Sequence, residues 1–381
     1  MKKILFITPT FARTGSEIVL WNLIKNLDPK KYEIFLFSIK KGELLNVLPP
    51  HIKTAVSYKF SGKWNLKWFR AILKLLGVEN QVCYQLRQIQ KEFKADLWFV
   101  NTIIVPDAYL AAATLNVKVA TYFHEIGNAL ALIKGGDLQR ILTFSHTCVG
   151  CSEIVVEKLQ ELGHENIKLQ NSSIDEGGIQ PNERIISNIK DRLGITSEDF
   201  IWVISGTASY MKGLDLILPL LKHFKNTRVK FLWLGEHTNT GLDLYVKSAA
   251  ERISPGQVIF TGPLSEDYYS YLAAGNGLLI LSREETFSLV MLEAAYLQMP
   301  IVGYDSGMLS KFIENDMGRV VTGLDSDKLC QAMEWVQQNQ ASINRTKLHA
   351  KTKRFTLQSQ IPLFGNLLKE ILEETEVQNC N

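Results

Sequence analysis

Cysteine is scarce in this chain. There are five in 381 residues, an odd number, which excludes a disulfide-stapled scaffold and points to a reducing, cytoplasmic compartment. No apolar run approaches the roughly 20 residues of a membrane span. Ile4-Leu5-Phe6-Ile7 after Lys2-Lys3 imitates a signal peptide, but the run is too short and Pro9 follows at once. Familiar catalytic signatures are missing too. There is no Walker A sequence and no G-x-G-x-x-G after the first strand, which disfavours a dinucleotide enzyme. There is no G-x-S-x-G elbow. His124-Glu125 continues as Ile-Gly-Asn, so no H-E-x-x-H exists. Nothing matches a nucleic-acid module. Cys148-Val-Gly-Cys151 has redox spacing, yet it ends a strand in mid-chain and reads as inert packing. Asp325-Ser326-Asp327 imitates a D-x-D metal motif but precedes a helical segment, where a cap is the natural role. No metal and no cofactor is expected.

What remains is an ordinary globular composition, 46% hydrophobic and 21% charged, long enough for two domains with cores of their own. The net charge of +3 hides an asymmetry. Residues 1–170 carry 22 basic and 14 acidic residues, the remainder 20 and 25. Much of the excess lies in Lys59, Lys63, Lys67, Arg70 and Lys74, interleaved with Trp64, Trp68, Phe69, Ile72, Leu73, Leu75 and Leu76. Segment 59–76 suits an amphipathic helix on an anionic membrane surface, or equally a core-packed helix with a solvated lysine face.

Short runs rich in Val, Ile and Phe read as buried strands: Lys3–Thr8, Glu33–Ser38, Ala95–Asn101, Val117–Phe123 and Thr147–Cys151. Helical patterns such as Glu17–Leu27, Gln81–Phe93 and Glu153–Leu162 lie between them. The rhythm restarts after residue 171 with Phe200–Ser205, Val229–Leu234, Gln257–Thr261, Gly277–Ser282 and Pro300–Tyr304. Two such series predict an α/β protein of two doubly wound, Rossmann-like domains, 1–171 and 172–355. The linker is Asn171-Ser172-Ser173 with Asp175-Glu176-Gly177-Gly178. In such sheets ligands bind outside the carboxyl ends of the strands.

The segment Ser282 to Pro300 carries the most chemistry. A strand ends at Ser282, a loop holds Glu285, and a helix is predicted from about Ser288 to Gln298, stopped by Pro300. Glu293 falls more than a turn inside that helix. Two carboxylates can hold two sets of hydroxyls with free helix N–H groups between them, and such N–H groups favour phosphate. Hydroxyls on either side of a diphosphate describe a nucleotide sugar. The plainer alternative makes Glu285 a helix cap and Glu293 a surface residue.

Glu285-x7-Glu293 within Ser-Arg-Glu-Glu-Thr-Phe-Ser-Leu-Val-x-Leu-Glu-Ala resembles the signature of family 4 retaining glycosyltransferases. Other segments match in order. Thr14-Gly15-Ser16-Glu17 resembles the family's G-G-A-E loop. His124 follows a strand where the family often has a histidine. Gly206 through Lys212-Gly213-Leu214-Asp215 resembles its phosphate segment, and Phe260-Thr261-Gly262 its F-x-G turn. The resemblance implies a GT-B fold, two domains facing across a cleft, whose last helix, about 360–381, completes the first domain. It further implies roles by position. Glu293 would accept from ribose hydroxyls, Glu285 would bind the donor sugar, and Lys212 would neutralise the diphosphate. The backbone of Phe287, Ser288, Leu289 and Val290 would donate to that diphosphate. Gly15, Ser16, Gly206, Thr207 and Gly262 would approach the donor, and His124 would lie near the transferred sugar. Glu285, Lys212 and His124 form the catalytic set. The sequence departs from the family at Thr207, where an arginine is usual, and at Thr14, where a glycine is usual. The implied activity is transfer of a hexose, with retention and without metal, to a glycan or lipid-linked acceptor in cell-surface polysaccharide synthesis. The alternatives are a non-catalytic nucleotide-sugar-binding paralogue and a sugar-nucleotide epimerase.

Overall fold

The computed structural model describes residues 1–57, 80–131, 133 and 136–378. The basic segment 59–76 lies outside these residues. The chain divides into two compact units, residues 1–173 with 357–381, and residues 174–356.

The first unit holds seven parallel strands: β1 (Lys2–Thr8), β2 (Tyr32–Ser38), β3 (Lys53–Val56), β4 (Leu97–Asn101), β5 (Val119–Phe123), β6 (Thr147–Gly150) and β7 (Ile167–Leu169). Their order is β3-β2-β1-β4-β5-β6-β7. The second holds β8 (Phe200–Ser205), β9 (Val229–Leu234), β10 (Val258–Gly262), β11 (Gly277–Ile280), β12 (Ile301–Tyr304) and β13 (Gly318–Val321), also parallel, in the order β10-β9-β8-β11-β12-β13. Both sheets are doubly wound. The direction of winding reverses between β1 and β4 in one and between β8 and β11 in the other, and ligands of such sheets bind beyond the strand ends at that reversal.

The central strands are buried on both faces and so read as unbroken apolar runs. Ile4, Leu5, Phe6 and Ile7 are inaccessible, as are Trp98, Trp202 and Trp233. Three edge strands do not read that way. β3, β7 and β13 are only three or four residues long and partly exposed, and apolar runs do not mark them. Cys148 and Cys151 are buried free thiols, and burial pushes Cys148 up to about 12, which makes it inert.

Four helices matter for the site: α1 (Gly15–Lys25), α2 (Tyr268–Ala273), α3 (Leu289–Tyr296) and α4 (Leu357–Gln378). The last belongs to the first unit. It buries Phe364, Leu367, Leu368, Ile371 and Leu372, a stripe at helical spacing. Phe364 meets Phe99 edge-on at 5.5 Å, Tyr32 Oη donates to Gly365 O, and Lys118 Nζ donates to Ile371 O. Phe364 is therefore a core residue of the first sheet. Replacing it by Ala is expected to cost about 3–5 kcal/mol. Denaturant titration with hydrogen exchange of the β4 amides checks this, and the β8 amides should be unaffected.

Candidate functional site

In the second unit the loops after β8 and β11 are tied together at the point where the winding reverses. Gly213 lies in the left-handed region at φ 72°, and a Cβ there would stand 2.1 Å from the Leu281 carbonyl oxygen. Only glycine lets the loop come so close. Arg283 N donates to Met211 O at 2.9 Å. The Arg283 guanidinium takes both carboxylate oxygens of Asp215 at 2.8 Å, donates to Tyr210 O and stacks over the Tyr210 ring. This bidentate pair holds the guanidinium pKa up. Arg283 is thus a strut between the loops rather than a stand-in for the arginine missing at 207. Thr207 is exposed and brings no charge.

The consequence is that Lys212 meets Glu285. Lys212 Nζ donates to Glu285 Oε1, which also accepts from Ser282 Oγ at 2.7 Å. Ser205, Lys212, Ser282, Glu285, Ser288 and Val290 line one recess. Glu285 does not cap α3. Ser288 does, its Oγ accepting from Met291 N at 3.3 Å. Leu289 and Val290 stand in the first turn, where N–H groups have no carbonyl of their own helix to meet. Gly206 stands at φ 139°, and a Cβ there would meet the methylenes of Lys212 at 3.5 Å. Phe287 is buried against Phe355, so only its backbone is free for a ligand. Gly262 ends β10 at φ 77° with open space at its Cα.

Glu293 sits inside α3, half-buried. Its Oε2 accepts from Tyr268 Oη at 2.9 Å and its Oε1 from Tyr269 Oη at 3.2 Å. Burial pushes this carboxyl up to about 7, while the two phenols pull it back down. The sequence offered no sign of these tyrosines. They belong to another helix, and Glu-Asp-Tyr-Tyr-Ser-Tyr is unremarkable as a pattern.

The first unit gathers polar groups at its own reversal. Ser16 and Glu17 begin α1, and Glu17 is buried, accepting from Ser16 Oγ at 2.8 Å, from Thr8 Oγ1 and from Thr14 Oγ1. Thr14 is extended, φ −107° and ψ 162°, so its departure from glycine carries no strain. Gly15 has open space at its Cα. Asn101 ends β4 fully buried, and its Oδ1 lies 3.1 Å from His124 Nε2. Its Nδ2 faces Thr8 Oγ1 and Ser16 O, which fixes Oδ1 as the acceptor and His124 Nε2–H as the donor. Burial lowers His124 to about 3, so the imidazole is neutral and Nδ1 is its acceptor. Beside Asn101, Thr102 stands at φ 66°, costly for a β-branched residue and found mostly where function requires it. Glu125 accepts from His124 N at 2.9 Å, and burial, with Glu17 adding to it, pushes it up to about 7. Ser16 and His124 are therefore joined through Asn101, a residue the sequence did not single out.

One lesser expectation has a direct answer. Asp325 caps the helix after it, accepting from Asp327 N and Lys328 N at 3.1 Å. Among the described residues no cluster of His, Cys, Asp and Glu is arranged to hold a metal, and no helix is long and apolar enough to cross a membrane.

Residues 186–355 match the family model described as glycosyl transferases group 1. A curated relative, O-antigen chain mannosyltransferase C of Escherichia coli, is 25% identical over 208 residues. That match spans 52% of this chain and 53% of the relative, about half the length of each. Among solved structures, Anabaena HepE in complex with UDP and glucose superposes with a TM-score of 0.81 at 16% identity, covering 97% of this chain and all of that one. Sucrose-phosphate synthase from Thermosynechococcus elongatus gives 0.77 at 14% identity, covering 98% of this chain and 100% of that one. The apo form of the lipopolysaccharide outer core galactosyltransferase WaaB gives 0.71 at 18%, covering 97% and 99%. The fold is that of the GT-B glycosyltransferases.

Glu293 also links the site to stability. Folded, it keeps its proton up to about pH 7; unfolded, it loses it near the ordinary 4.5. Between those values the folded state binds more protons, so stability falls as pH rises through the window. The cost at pH 8 reaches up to about 3 kcal/mol. Glu293→Gln should therefore raise the melting temperature at pH 8 and leave it unchanged at pH 4. Equal shifts at both values would contradict a buried, titrating carboxyl.

Proposed function

We propose that this chain, whose residues 186–355 match the group 1 glycosyl transferase model, transfers a hexosyl group from a nucleoside-diphosphate sugar to a hydroxyl of a glycan or lipid-linked acceptor. The transfer retains anomeric configuration, needs no metal and serves cell-surface polysaccharide synthesis. The observation that carries the reading is the grouping of Lys212, Glu285 and the first turn of α3 in one recess, with Glu293 on the next turn. A cation and free amides suit a diphosphate, and a carboxylate on each side suits hydroxyls. HepE was crystallised with UDP and glucose, and the Escherichia coli relative is an O-antigen mannosyltransferase; both support the donor class and the pathway type.

In this reading the bond between the anomeric carbon and the diphosphate oxygen breaks, and its electron pair leaves with the diphosphate. The acceptor oxygen attacks on the same face and passes its proton to a diphosphate oxygen. Lys212 and the amides of Ser288, Leu289 and Val290 stabilise the growing charge, and positioning does the rest. Donor entry replaces the Lys212–Glu285 pair by Lys212–phosphate and Glu285–hydroxyl contacts, so neither charge is left uncompensated. Exposed Thr207 favours a second reading, a paralogue that binds nucleotide sugars without turning them over. Product analysis separates the readings: new glycoside, isomerised donor, or neither.

The first test is thermal shift with a panel of nucleoside diphosphates and their sugars. Ligand at about 100 times its dissociation constant adds roughly 2.7 kcal/mol. One nucleotide class should stabilise the wild type and not Glu293→Ala. Lys212→Ala should lower turnover on the order of 10²–10³-fold; full activity in that variant would remove Lys212 from its role. Activity should survive chelator. The protein is also proposed to sit peripherally on the inner face of the membrane through segment 59–76. Co-sedimentation with anionic vesicles at low salt, abolished by reversing Lys63, Lys67 and Lys74 to Glu, is the expected result, and indifference to such vesicles would dismiss it.

A further inference from the structure

We propose that Tyr268 and Tyr269 are positioning residues that turn the Glu293 carboxylate into a ribose-specific acceptor. The inference rests on the donor reading above and deepens it. Each phenol takes one oxygen of the carboxylate, Tyr268 Oη on Oε2 at 2.9 Å and Tyr269 Oη on Oε1 at 3.2 Å. Tyr268 is itself fixed. Since its proton goes to Glu293, its oxygen accepts from Ser205 Oγ at 3.0 Å, at the carboxyl end of β8. The two rings meet edge-on at 5.1 Å, so neither swings freely. The carboxylate plane is therefore set by residues of β8 and α2, not by its own helix.

A carboxylate oxygen accepts two hydrogen bonds in its plane. The phenols fill one position on each oxygen and leave one on each. Two acceptor positions on adjacent oxygens match the spacing of vicinal hydroxyls, the 2′ and 3′ hydroxyls of a ribonucleotide. A 2′-deoxyribonucleotide supplies one donor and leaves the other position unmet in a desolvated site, the situation in which a binding site rejects an analogue strongly.

The phenols also govern protonation. Both hydrogen bonds lower the Glu293 pKa against the effect of burial, so removing either leaves more of the protonated acid near neutral pH. A protonated carboxyl loses an acceptor position and repels a hydroxyl donor there. Among the described residues no other titrating group competes for this carboxyl. From the helix Arg345–Thr352, which packs on α3, His349 bonds Tyr296 O at 2.8 Å, and Lys212 is held by Glu285.

The test uses the full-length protein with Tyr268→Phe and Tyr269→Phe, which keep ring and packing. ADP, GDP and UDP are each compared with their 2′-deoxy forms by calorimetry at pH 6, 7 and 8.5. Wild type should prefer the ribonucleotide of its own base by on the order of 10²-fold at pH 7. Each variant should lose about tenfold of that preference at pH 7, recover part of it at pH 8.5, and bind the deoxy form as wild type does. Carboxyl ¹³C resonances, with Glu293 assigned by its absence in Glu293→Gln, should show an upward-shifted midpoint in each Tyr→Phe variant without any nucleotide present. An unchanged ratio in variants that keep binding overturns the positioning role and leaves the donor reading intact. An unmoved carboxyl midpoint overturns the coupling directly. Absence of any nucleoside diphosphate binding by wild type overturns the donor reading and the ribose role together, and the carboxyl titration still reports whether the phenols hold Glu293.

Discussion

The ion pair between Arg283 and Asp215 is the constraint on which the second unit's site depends. It spans the loops after β8 and β11, and with the Arg283 N to Met211 O bond it fixes where Lys212 stands. Gly213 belongs to the same arrangement, because any side chain there would meet the Leu281 carbonyl and force the loops apart. A lysine on a free loop would spend its time in water, and its attraction to a phosphate would be set against the entropy of ordering a long side chain. Held between two strand ends and already paired with Glu285, Lys212 needs little reorganisation to exchange one anion for another. Preorganisation of this kind is what a charge-stabilising group requires to act on a leaving group rather than merely on a bound one.

Around that frame the molecule sustains groups in states that water would not allow. Glu293 and Glu125 titrate near 7 and His124 stays neutral far below its usual range, all because of burial. Each opposes folding at some pH, and the strain at Thr102 adds to it. The sheets supply the compensation: central strands without solvent exposure and three tryptophans packed inside them. The costly groups all lie at the carboxyl ends of β4 and β5, or beside those of β8 and β11, where the layered core ends and a ligand can be reached. Their placement at the reversals of both sheets is therefore informative in a way that burial alone is not.

The sequence made the inner parts of this architecture legible and hid the margins. β1, β2, β8, β9 and β12 announce themselves because both faces are buried, whereas β3, β7 and β13 carry no apolar run and emerge only when a neighbour pairs with them. The same division holds at the site. Glu285, Glu293 and Lys212 could be singled out because their spacing along the chain is part of a motif. Tyr268, Asn101 and the Arg283 strut were not, because each acts through a partner dozens of residues away, and no local pattern encodes such a pair. Arg283 was visible as a residue but not as a strut, since its partner Asp215 lies across the sheet's reversal.

Net charge is a poor guide to where oriented cationic groups gather. The acidic half of the chain holds Lys212 and the amide-lined first turn of α3, while the basic half places neutral His124 and two buried carboxylates at its own reversal. The reason is range. Surface charges separated by more than about 8 Å are screened at physiological salt, whereas a lysine and helix amides in a sheltered recess act at contact distance. An excess of five acidic residues spread over a 200-residue surface weighs little against one oriented cation in such a recess. The summed charge instead acts on encounter with large, flat, charged surfaces, where many weak contacts add. The basic excess of the first half and the recessed Lys212 of the second thus differ in the kind of anion each physically suits. One suits an extended anionic surface, and the other suits a compact anion held by few, directed bonds.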